Sequence, residues 1–221
     1  MAQCKNCEKR GFFVGVDNNG LCTSCVQVFL PQIVNYCRIV VESGKIVKNS
    51  KNGKTIISRC GVGLDALSRL YPFDRRGIPT LTVPLVALEA QFKSIRSETI
   101  QKLMGAEVFS ARAKQESAST PAGKLGGYGK AIDNLNKMLL EFDDVSEVEP
   151  AIAELVRERD KVRIEIALLK AEKLIAKGKA KLARDVLTDL LVDIKHDTTP
   201  DAEQAIEIAA VKSRIQEIEA N

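Results

Sequence analysis

The sequence predicts a mainly α-helical chain that opens with one small β-hairpin. Three observations carry that prediction. Apolar residues recur at helical spacing along most of the 221 residues. Tryptophan is absent and aromatic residues make up only 5% of the chain, so little speaks for sheet beyond the N-terminus. The first thirty residues differ. There Phe12, Val14 and Val16 alternate with Phe13 and Gly15 at period two, and Asp17-Asn18-Asn19-Gly20 has the composition of a hairpin turn.

That first stretch also carries the one motif with chemistry built into its spacing. Cys4-Lys5-Asn6-Cys7 is followed, after fourteen residues, by Cys22-Thr23-Ser24-Cys25. Two residues between cysteines let both sulfurs of a tight turn face one centre. Two such turns make a four-thiolate cage suited to Zn²⁺, at roughly 2.3 Å per bond. Cys4, Cys7, Cys22 and Cys25 are therefore the expected metal ligands, with Zn²⁺ in a structural role. A cage filled by four thiolates has no open position for water, which argues against catalysis by the ion. A redox dithiol fits a lone CxxC better than two pairs flanking a hairpin. Disulfides need an oxidising compartment, and no signal-like segment precedes Cys4.

The order of cysteine turn, hairpin, second cysteine pair and apolar helix resembles treble-clef zinc fingers of the LIM and GATA type over residues 1–30. The resemblance implies a zinc-held module and is neutral about function, since treble clefs bind proteins, DNA, RNA or nothing. A rubredoxin-like iron site shares the cage. Glu8 and Val26, however, follow the second cysteine of each pair, where rubredoxins usually carry glycine.

Beyond the module, Val26, Phe29, Leu30, Ile33, Val34, Cys37, Val40 and Val41 form a helical stripe, with Pro31 as a kink or a second helix start. Asn49-Ser50-Lys51-Asn52-Gly53 reads as a turn. A second helix follows from about Thr55 to Leu70, with Cys60 on its apolar face. Cys37 and Cys60 read as small buried hydrophobes. Tyr71-Pro72 ends that helix, residues 77–84 are an extended proline-bearing connector, and Pro84 opens a long helix fading near Arg112. Glycine and small polar residues over 115–127 read as a linker. The expected domains are 1–30 for the zinc module, 31–114 for helices packed on it, and 128–221 for a unit of helical hairpins.

The last unit carries an internal repeat. Ala131, Asp133, Leu135, Met138, Leu139 and Leu140 match Ala183, Asp185, Leu187, Leu190, Leu191 and Val192 at an offset of 52, as Gly126 matches Gly178. A capping box at Ser146-Glu147-Val148-Glu149 and the pair Thr199-Pro200 are the expected helix starts. Ala171, Leu174, Gly178, Ala180, Ala183, Leu187 and Leu190 resemble the packing positions of a tetratricopeptide repeat. Lys195 stands where that family closes with proline, and the period exceeds its usual length. A plain antiparallel helical bundle is the equal alternative.

Several function classes lose support. The only histidine, His196, follows a helix, where it caps carbonyls more often than it catalyses, and no Ser-His or Cys-His pair is visible. Gly53-Lys54-Thr55 has Lys48 where a P-loop needs glycine, and the glycines of 123–129 follow no strand. Asp143-Asp144 and Asp185/Asp189/Asp193 read as solvated acidic groups. No apolar run is read as approaching the ~18 residues of a membrane span. Residues 1–130 hold 19 Lys/Arg and 9 Asp/Glu, and residues 131–221 hold 14 and 20. The expectation is a cytoplasmic, non-enzymatic interaction protein with a protein partner, itself included. Nucleic-acid binding through the basic half is the alternative, and no membrane contact is expected.

Overall fold

A computed structural model describes residues 2–11, 14–143, 145–196, 200 and 202–220. Seven α-helices follow one another among these residues: α1 (Thr23–Asn49), α2 (Gly53–Asp74), α3 (Leu85–Ser117), α4 (Pro121–Glu141), α5 (Glu149–Ile175), α6 (Ala180–Lys195) and α7 (Ala205–Glu219). The chain divides into two compact units, Met1–Leu103 and Met104–Asn221, so the boundary falls inside α3.

In the first unit α1 and α2 pair as an antiparallel hairpin. Asn52 caps α2 by accepting from the Thr55 amide at 3.1 Å. Ile33, Val40 and Val47 of α1 meet Cys60, Leu67, Leu70 and Phe73 of α2, and Leu85 and Phe92 of α3 close the cluster. Neither interior proline breaks its helix. Pro31 and Pro72 are both exposed, so each ring and each missing N–H falls on a solvent face. α1 runs without interruption through residue 30, the expected module boundary. By length and composition α1 is also long enough and apolar enough to cross a bilayer. The expectation from uninterrupted runs passed this over, because Arg38 and Glu42 break the run without raising the charge much.

Among the described residues the expected β-hairpin is not seen. Among these residues the N-terminal segment holds only two isolated bridges, Gln3 with Arg10 and Val16 with Cys22. The turn itself is as expected. The Asp17 carboxylate accepts from the Leu21 amide at 2.9 Å and the Asn19 amide at 3.0 Å. Gly20 takes φ +79°, and its missing Cβ leaves room for the Lys5 stem, whose Cδ would lie 2.6 Å from one. Phe12 and Phe13, half of the alternation read from sequence, lie outside the described residues.

In the second unit consecutive helices pack in pairs, α4 on α5, α5 on α6 and α6 on α7. The stretch read as a linker is largely helical. α3 continues to Ser117, and Pro121 sits in the first turn of α4, where Thr120 accepts from the Gly123 amide at 3.1 Å. A cap and an N-terminal proline outweigh the low helix propensity of the glycines. The capping box at Ser146 does not form: Ser146–Val148 is a 3-10 turn leading into α5, without a side-chain cap. Thr199 lies outside the described residues, and α7 starts at Ala205, past a turn from Pro200.

Positions matched at the 52-residue offset share their burial. Ala131, Leu135 and Met138 are buried, and so are Ala183, Leu187 and Leu190. Leu140 and Val192 are exposed in both copies. The glycines do not correspond: Gly126 lies inside α4, while Gly178 takes φ +71° in the turn that ends α5.

Candidate metal centre

The four cysteines predicted as ligands come together. Cys4 and Cys7 lie in a turn closed by the Glu8 amide donating to the Cys4 carbonyl at 2.9 Å. Cys22 directly precedes α1, and Cys25 is on its first turn. The Sγ atoms all lie within 4.8 Å of one another, with Cys7 and Cys22 at 3.7 Å. Among the described residues no other group of three or more His, Cys, Asp or Glu converges in this way. Sulfur donors from two turns, facing one point, can hold a metal ion.

The surroundings treat the four sulfurs unequally. The Cys22 amide donates to the Cys4 sulfur at 3.3 Å, and the Asn6 side-chain amide to the Cys25 sulfur at 3.6 Å. Burial pushes the Cys4 thiol up, but the backbone amides of Cys7, Cys22 and Asn6 outweigh it and bring the group down to about 6. Burial, with the neighbouring sulfurs of Cys22, Cys7 and Cys4, pushes Cys25 up to about 12 against the opposing Asn6 amide. Protons and a metal ion therefore compete for these sulfurs. Leu21, fully buried beside Cys4 and Cys22, ties the cage to the core of α1 and α2.

No family of known proteins, no characterised protein and no solved structure matches this chain.

Three residues around the cage carry no signal in the spacing. Asn6 bridges outward as well as inward, since its Oδ1 accepts from the Arg76 guanidinium at the end of α2. Lys5 donates to the Gly77 carbonyl at 2.5 Å. Lys5 and Arg76, distant in sequence, thus stand together beside the cysteines. Only the asparagine inside the first CxxC hinted at such a contact. Glu8 has φ 59°, a left-handed conformation uncommon for a residue with a side chain.

The remaining cysteines stay apart from the centre. Cys60 is fully buried and Cys37 half-buried, and burial pushes both thiols up, as fits small core residues. His196 is exposed after α6, and Asp189 and Asp193 are exposed on that helix. Asp144 lies outside the described residues.

Proposed function

We propose that this chain is a zinc-stabilised, non-enzymatic interaction protein. Four thiolates hold a structural zinc ion, and the paired helices of the second unit offer a surface to a protein partner. The choice of zinc rests on the donor set and its spacing. Bonds of roughly 2.3 Å in a tetrahedron give a sulfur–sulfur edge of about 3.8 Å. The Cys7–Cys22 separation of 3.7 Å fits that edge.

One observation carries the partner surface. Leu140 and Val192, equivalent at the 52-residue offset, are 87% and 50% exposed, while Met138 and Leu190, two residues before each, are buried. A single bare leucine needs no explanation. The same position left bare in successive units is what a repeated binding face requires, whether the repeat is tetratricopeptide-like or bundle-like.

The test captures partners with the full-length chain and with a Leu140→Asp/Val192→Asp variant, alongside light scattering for self-association. The reading expects a partner, or a second copy, held by the wild type and lost by the variant at unchanged melting temperature. Equal recovery by both, or no protein retained at all, contradicts it.

A second reading has its own observation. Lys5 and Arg76 gather beside the cage, with Lys9 and Arg10 exposed on the same segment as Lys5. Such a cluster suits phosphate contacts, which weaken steeply with salt. Gel shifts with generic DNA and RNA test it, and absence of binding at low salt ends it.

A further inference from the structure

The first unit holds an apolar cavity that its own side chains leave open. It measures about 560 Å³ and lies between the C-terminal half of α1, the connector at 81–83 and the first turns of α3. Two glycines shape it. A Cβ on Gly63 of α2 would lie 2.8 Å from the Phe92 ring, so glycine there lets the ring settle until it is 5% exposed. Gly44 of α1 is not needed for that packing, because a Cβ there would meet the ring at an ordinary 4.0 Å. Gly44 lies instead on the helix face, shared with Val40, Val47 and Lys48, that lines the cavity. Glycine at that position leaves the space open. On the connector and α3 sides Leu81, Leu88 and Ile95 remain only part-buried.

Charge around the cavity has one sign. No acidic side chain lines it, and Lys48 is its one charged group. Lys48 is exposed, and among the described residues it is in no ion pair. The chain has no acidic residue from 43 to 64, while Lys45 and Lys51 flank Lys48. On α3 the Glu89 carboxylate is held by Lys93 at 2.6 Å and by Tyr71. The Lys48 cation is therefore uncompensated. A cavity of this size encloses one small ligand, and an aliphatic wall with a single polar end selects an amphiphile. From Val40 to Lys48 the helix face is about 12 Å long, room for an alkyl chain lying along it. A cation without an acid beside it selects a negative head.

We propose that this cavity binds a free fatty acid, with the carboxylate paired to Lys48 and the alkyl chain against Phe92, Leu88 and Ile95. The site lies wholly within the first unit, so it stands independently of the partner surface described above.

The experiment titrates the full-length, metal-loaded chain with decanoate, 1-decanol and decylammonium, each as the dissolved monomer, and follows backbone amide shifts. One decanoate should bind per chain, move resonances of α1 and α3 around Gly44 and Phe92, and bind about tenfold tighter than decylammonium. Lys48→Met should weaken decanoate about fivefold and leave decanol unchanged. Gly44→Leu fills the space and should weaken decanoate and decanol alike, about tenfold or more, while melting no lower than the wild type. If that variant melts lower, Lys48→Met, at an exposed position, decides alone. The proposal is overturned if decanoate does not bind, if decylammonium binds equally, if Lys48→Met binds decanoate as the wild type does, or if a well-folded Gly44→Leu does. Shifts spread alike over both units overturn it too, since they would mean general adsorption of the chain.

Discussion

Two tight turns, one in each unit, require a left-handed residue and obtain it differently. At the end of α5 the position is Gly178, φ +71°, which has no side chain to strain. In the first cysteine turn it is Glu8, φ 59°, which does. The difference extends to the surroundings. α5, α6 and α7 share a core of Ala171, Ala183, Leu187, Ile194 and Val211. The first cysteine turn contributes Cys4 alone to the buried set. A turn backed by packed helices is stable through its own sequence. A turn backed by four sulfurs relies on whatever those sulfurs bind, and tolerates strain as long as they bind it.

The contrast breaks most sharply at a ligand. Cys22→Ser should abolish tight metal binding and release residues 2–22 from their fold, because structural zinc sites supply on the order of 10–16 kcal/mol of apparent binding energy. Amide exchange should rise across that segment and stay unchanged in α5–α7. Loss of order in both units alike would erase the distinction.

The converse change lies in the second unit. Leu187 is fully buried, and Leu187→Ala should cost about 2–5 kcal/mol in chemical denaturation. Metal content should remain that of the wild type. Leu135→Ala, the equivalent position, should cost a similar amount, since it too is fully buried.

A smaller effect tests the first unit away from its cage. Tyr71 on α2 donates to Glu89 on α3. That bond, with burial, pushes the phenol up to about 12. Lys93 and then Tyr71 hold the Glu89 carboxyl below its ordinary value. Tyr71→Phe should cost about 1 kcal/mol near neutral pH. The phenol is raised on folding, so its contribution is intact below its unfolded value of about 10 and is lost as pH rises through about 12. Glu89 is depressed on folding, so its share is intact above its ordinary value and is lost as pH falls through the lower one. The stability gap between wild type and Tyr71→Phe should therefore be flat around neutrality and close at both extremes. A gap that persists to pH 12 would assign the cost to packing instead.

The smallest prediction returns to the paired turns. Glu8→Gly should stabilise the metal-bound protein by about 0.5 kcal/mol, the relief of left-handed strain less the entropy of a glycine. Gly178→Ala should destabilise by about 1 kcal/mol, although the space around Gly178 is open. Equal signs would mean that backbone conformation is not what separates the two turns.

How far the sequence carried the fold follows from the range of each interaction. The cysteine cage was legible because spacing alone puts two sulfurs on one side of a turn. The buried faces of α4 and α6 were legible because their apolar spacing is helical and local. The β-hairpin was misread because alternation over a few residues does not reveal whether a partner strand exists; Asp17 folds the return through its side chain. The supposed linker was misread because a single cap, Thr120 with Pro121, outweighs several glycines. The contact of Asn6 with Arg76 joins residues far apart in the chain and leaves no periodic trace.

The most direct test is the metal content of the purified, reduced, full-length protein, measured by plasma mass spectrometry together with amide exchange before and after chelation. One equivalent of zinc per chain is predicted, with protection of residues 2–22 that disappears when zinc is removed. A chain without stoichiometric metal whose first twenty-two residues remain protected would contradict the account.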